Sequence, residues 1–166
     1  QPGTGKLYVN DVGASNWEEI NDATSGGKNF GWPQTEGNGS SSFSNPVYAY
    51  PHGGGVGNGC AITGGTFFNP SSTNYPSTYV GRYFYMDFCN NWIDMLSSGG
   101  SRSNFASNIA GSALSLVTGT DGNLYFLSRD NSAVYKIVYA GGSSAPTITN
   151  QPQSVNVAQG NSVTFS

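Results

Sequence analysis

Positive charge is what this chain has least of. Six Lys and Arg against nine Asp and Glu give a net charge of -3, and charged residues make up only 9% of the sequence. With no basic footprint to meet phosphates, nucleic acid and anionic membrane surfaces are excluded as partners. No apolar run reaches the roughly 18 residues that a membrane span needs, and no signal-peptide pattern opens the chain. The expectation is a soluble protein which, if secreted, is already processed. One histidine and two cysteines without a CxxC spacing argue against zinc. The many serines form no GxSxG elbow, and Ala-Leu-Glu-Lys stretches that would seed helices are almost missing.

What fills the chain instead is glycine and aromatic residues: 24 Gly, ten Tyr and nine Phe, amid many Ser, Thr and Asn. That mixture describes short aromatic strands joined by turns, and the aromatic anchors distinguish it from a disordered chain. Alternation and turn residues predict strands at 6–10, 46–50, 60–68, 82–87, 91–96, 113–118, 123–128 and 133–139. In TGTDGNLYFLSRDNSAVYKIVY, Asp121-Gly122 and Asp130-Asn131 sit where tight turns belong, giving a three-stranded meander. GRYFYMDFCNNWIDMLSS repeats the theme, with Asn90 and Asn91 at the turn. Meanders recurring about every 40 residues are the sequence habit of propeller blades.

Composition shifts after Tyr139. AGGSSAP, residues 140–146, reads as a flexible linker, and 147–166 alternates apolar and polar residues at Val155, Val157, Val163 and Phe165. That last segment resembles the opening strands of a bacterial immunoglobulin-like module. It stops before the central strands of such a sandwich, so the sequence reads as a piece of a longer chain.

Three segments of residues 6–139 together resemble the glucose/sorbosone dehydrogenase family, soluble quinoprotein sugar dehydrogenases built as six-bladed β-propellers. They are LYVNDVGASNWEEIN with GGKNFGWP, YAYPHGGGVGNGCAITGGTFF with YPSTYVGRYFYMDFCNNWIDML, and GTDGNLYFLS. The resemblance implies an all-β fold: a partial β-propeller, the last two or three blades of the six-bladed type, followed by the incomplete immunoglobulin-like β-strand segment. It also implies a calcium loop in which Glu19 supplies a carboxylate while Gly13, Ala14 and Phe30 supply backbone carbonyls. Calcium takes several hard oxygens at flexible geometry, and a glycine-rich loop can provide them. Glu18 is expected to face away from Glu19 if the segment is extended, and to be solvated. The alternative is that both glutamates are solvated loop charges.

Cys60 and Cys89 leave two readings, a disulfide or a pair of buried thiols. A surface rich in Asn, Ser, Gly and Tyr favours a secreted chain and the disulfide.

Family members that oxidise sugars take a histidine base from an earlier blade, and arginines and a lysine from later blades grip the acidic quinone cofactor PQQ. Here the corresponding stretches, SNIAGSALSLVTG and DFCNNWI, contain no cation. Arg82, Arg102 and Arg129 are read as surface residues, and His52 as a loop histidine with a structural hydrogen bond. Asp87 and Asp121 are read as turn caps. Two functions follow. One is PQQ-dependent oxidation of aldose sugars. The other is a non-catalytic extracellular module for carbohydrate binding, adhesion or assembly, with Trp17 and Trp92 stacking on sugars. Open strand edges would let such a fragment pair with copies of itself as a homo-oligomer or filament.

Overall fold

The computed structural model describes residues 1–140, and within them the chain is all-β. Ten strands and one 3₁₀ turn at Ser77–Tyr79 make three antiparallel sheets. The first contains β1 (Tyr8–Asp11), β2 (Trp17–Asp22) and β3 (Tyr48–Pro51), in that order. The second is the meander β4 (Ile62–Phe67), β5 (Tyr83–Asp87), β6 (Trp92–Leu96) and β7 (Arg102–Ser107). The third is β8 (Ala113–Thr118), β9 (Leu124–Ser128) and β10 (Ala133–Ile137).

The sheets stack because the middle one is apolar on both faces. Side chains alternate along a strand, and every residue of β5 is buried. Phe84 and Met86 enter a core with Leu116, Phe126 and Ile137 of the third sheet. Tyr83 and Tyr85 enter another with Ile20 and Tyr50 of the first sheet, which Trp92 completes. Each such buried side chain contributes about 1.5–3 kcal/mol. Face-to-face stacking of small meanders is blade packing, and it accounts for all three sheets.

The inner strand β4 touches both β1 and β8. A bulge at Thr63–Gly65 permits this approach. Gly64 has φ +49°, and a Cβ there would lie 2.6 Å from the Leu116 amide nitrogen. Asn10 Nδ2 donates to the Gly64 carbonyl at 2.7 Å and Tyr83 donates its hydroxyl to Asn10 Oδ1 at 2.9 Å, tying the first sheet to the second.

Cys60 and Cys89 form a disulfide, Cα to Cα 5.9 Å, joining the approach to β4 with the β5–β6 turn. Two strands, β2 and β7, fall where no strand was expected. Both are poor in apolar residues, so alternation gives no signal there. Residues 147–166, expected to be immunoglobulin-like, and the expected linker beyond Ala140 lie outside the described residues.

Candidate metal centre

The β1–β2 hairpin places Asp11 opposite Glu19. Between them the chain turns through Val12–Asn16, and Gly13 is required there because a Cβ would lie 1.7 Å from the Trp17 carbonyl oxygen. Successive amides of this turn converge on one acceptor, the Glu36 carboxylate. Oε1 accepts from the Ala14 and Ser15 amides at 2.9 and 3.2 Å, and Oε2 from the Asn16 and Trp17 amides at 2.9 and 3.3 Å. Burial works to raise the Glu36 pKa, but these amides outweigh it and hold the carboxyl below its ordinary value.

Glu19 is buried on the same side, accepting hydrogen bonds from the Gly37 amide and from Asn21 Nδ2. Around it opens a cavity of about 310 Å³ lined by Asp11, Gly13, Ala14, Glu19, Phe30 and Glu36, with Trp32, 63% exposed, also lining it. All four residues implied as calcium ligands therefore share one cavity, and two further carboxylates join them. The carbonyls of Gly13, Ala14 and Phe30 accept no hydrogen bond from any described residue. The Glu19 and Asp11 carboxylates and the uncommitted carbonyls are hard oxygens of the kind calcium takes, with the Glu36 charge beside them.

Glu18 points the other way, as extended backbone requires, but it is not solvated. It is fully buried, because β2 is the central strand of its sheet and this face is closed by the start of β4. Its Oε2 accepts the Ile62 amide at 2.7 Å, and its Oε1 lies 2.6 Å from His52 Nε2. Burial raises the Glu18 pKa, against the lowering effects of the Ile62 amide and His52. His52 thus has the structural partner expected of it.

Asp87, fully buried beside this pair, is a turn cap with five donors. Oδ2 accepts from the Tyr50 hydroxyl and the Cys60 and Ala61 amides at 3.1, 3.1 and 3.3 Å, and Oδ1 from the Cys89 and Asn90 amides at 2.9 and 3.0 Å. Cys60, Asp87 and Cys89 bring potential ligand atoms together. The sulfurs are committed to each other and the carboxylate to those donors, so the cluster is structural.

The basic residues stand differently from expectation in one case. Arg102 is not a free surface cation: its Nε donates to Asp94, which is fully buried and also accepts from Asn104 Nδ2 at 2.9 Å. The other five are also engaged. Arg82 donates to the Thr78 carbonyl, Lys28 to the Asp22 carbonyl, and Lys136 pairs with Asp121. Arg129 lies over Phe88, and Lys6 over Tyr8. None of the six lines the Glu19 cavity. Trp92 is corrected too. It is fully buried, its Nε1 donating to the Asn58 carbonyl at 3.0 Å, and offers no face to a sugar; Trp17 is 37% exposed. Sequence reasoning missed Asp11 and Glu36 altogether, since only the fold of the long β2–β3 connection brings Glu36 to the hairpin.

The sequence matches no protein-family model, and no curated protein matches it. Solved structures do resemble it. A glucose dehydrogenase aligns over 85% of this chain and 43% of its own, with TM-score 0.64 and 17% identity. The soluble aldose sugar dehydrogenase of Escherichia coli, in its apo-form, aligns over 82% and 41% with TM-score 0.59 and 21% identity. The described residues have the fold of part of a sugar dehydrogenase β-propeller. The PQQ-bound aldose sugar dehydrogenase of Streptomyces coelicolor also aligns, over 85% and 38%, with TM-score 0.53 and 19% identity. The chain spans about two-fifths of the length of these structures, and at such identities the likeness is one of fold.

Proposed function

We propose that this chain is the calcium-binding part of a sugar dehydrogenase-type propeller acting on aldose sugars. The observation that supports it most is the convergence of Glu19, Gly13, Ala14 and Phe30 on a single cavity, in a fold shared with sugar dehydrogenases. Glu19 supplies the ligand carboxylate, Asp11 and Glu36 add negative charge, and the three carbonyls complete the donor set. Bound calcium supplies concentrated positive charge that can orient an acceptor oxygen. PQQ is the cofactor suggested by the Streptomyces coelicolor neighbour. The described residues alone do not fit it: they bring three carboxylates and no Lys or Arg to this cavity to pair its acidic groups. The Cys60–Cys89 disulfide supports a secreted location.

Saturating calcium is expected to raise the melting temperature by about 5–10 °C over the value in chelator, from about 2.7 kcal/mol of linkage at a hundredfold excess over Kd. Identical melting in both conditions rules the calcium reading out. Dye reduction by aldoses after reconstitution of the full-length protein with PQQ and calcium tests oxidation separately, and no turnover there removes that part.

The commitment of all six basic side chains favours a second reading, a non-catalytic extracellular module binding carbohydrate or assembling through a strand edge such as β1, an edge strand among the described residues. It predicts glycan binding that Trp17→Ala abolishes, and a species larger than the monomer in light scattering. A monomer that binds no glycan excludes it.

A further inference from the structure

We propose that Glu36 is a positioning residue for the cation loop, and that the dipeptide Glu36-Gly37 clamps both walls of the cavity at once. The inference rests on the calcium reading above. The side chain of Glu36 gathers four consecutive amides, Ala14 to Trp17, two on each oxygen. The next residue's amide donates to Glu19 Oε1. One short segment from the β2–β3 connection therefore fixes the loop that carries Gly13 and Ala14 and also the carboxylate they must work with.

Gly37 makes the segment fit. Its φ is +74°, and a Cβ there would lie 2.8 Å from the Trp17 ring, so the clamp closes against Trp17 with no room to spare. Because each Glu36 oxygen already receives two amides, its influence on a cation passes through the loop. Amides drawn to one side of a turn leave its carbonyls free for the other, and three carbonyls at this cavity are uncommitted. Organising a metal loop before binding removes the cost of ordering it on binding.

Two variants of the whole chain test this. Glu36→Gln keeps the length but turns an amino group toward two donors; Glu36→Asp keeps the charge but is one methylene too short to hold all four amides. Calcium titration by calorimetry is expected to show both binding about 10- to 100-fold more weakly than the unmodified chain. Hydrogen exchange in chelator is expected to quicken at residues 14–17 in both, while the amides of β5 and β9 keep their protection and report an intact fold. Glu36→Asp binding calcium as tightly as the unmodified chain overturns the proposal, because charge alone would then suffice. Unchanged exchange at residues 14–17 in both variants overturns it whatever calcium does. Failure of the unmodified chain to bind calcium saturably overturns the calcium reading instead, and the exchange measurement then decides alone whether Glu36 holds the loop.

Discussion

Asp87→Ala is expected to lower the free energy of unfolding by about 4–5 kcal/mol, a large share of the roughly 5–15 kcal/mol that a domain of this size has. The carboxylate accepts four amides and the Tyr50 hydroxyl, from residues on both sides of the disulfide. Truncation leaves those donors unpaired at about 1–3 kcal/mol for each one that stays dry. Cys60 and Cys89 are exposed, so water recovers some of them, and the sum stays below five full penalties. The disulfide does not compensate. By the loop-entropy model it contributes about 3.5 kcal/mol by restricting the unfolded chain, but it fixes two points and orients no amide. Local packing leaves no substitute either, since a Cβ on Gly59 would lie 1.8 Å from Asp87 Oδ2. Asp87→Asn keeps one acceptor oxygen and turns an amino group toward donors, so it should fall between the two. Denaturant titration checks both, and an alanine variant within about 1 kcal/mol of the unmodified chain contradicts this account.

That Asp87 caps a turn was legible in the sequence, because an Asp between an aromatic strand and Asn-Asn has few other roles. So were the β8–β9 hairpin, with Asp121 accepting the Asn123 amide at 3.2 Å, and the β5–β6 turn, where Asn91 takes φ +52°. These are local: residue type and spacing decide them within a few positions. The two missed strands fail for the opposite reason. β2 reads WEEIND, and its burial comes from partners far along the chain, with Glu18 meeting Ile62 and His52 and Glu19 meeting Gly37. β7 buries only Phe105. Apolar periodicity cannot reveal a strand whose buried residues are mostly polar, as in β2, or which buries a single apolar residue, as in β7. The same blindness hid the Asp94–Arg102 pair and made Glu18 look solvated. The opposite facing of Glu18 and Glu19 was predictable from alternation, whereas which environment each would meet was not. For the candidate metal centre, the four residues implied by family resemblance came from a local string, but Asp11 and Glu36 required the fold.

His52→Ala is expected to destabilise the protein by about 3 kcal/mol at pH 7, and by much less near pH 4. Glu18 is fully buried, and the groups around it are His52, Asp87 and the Tyr50 ring. Only His52 can bring positive charge, while Asp87 raises the Glu18 pKa further. The direction follows from burial. A carboxyl whose folded-state pKa is raised favours folding in its neutral form, so its burial costs nothing below the ordinary value, about 4.5, and costs progressively more as pH climbs through the raised one. Removing His52 deletes both its hydrogen bond and its Coulombic attraction, so Glu18 is pushed higher still and the costly range widens. His52 is 26% exposed on its side chain, and water entering the space it leaves limits the loss to the lower part of the usual range for a broken buried pair. The partner variant separates charge from packing. Glu18→Gln in the His52→Ala background removes the stranded carboxylate while keeping the acceptor for the Ile62 amide, so it should restore most of the lost stability at pH 7 and change little at pH 4. A deficit that is the same at both pH values, or that Glu18→Gln fails to relieve, would mean that His52 acts through loop packing and not through the charge it shields.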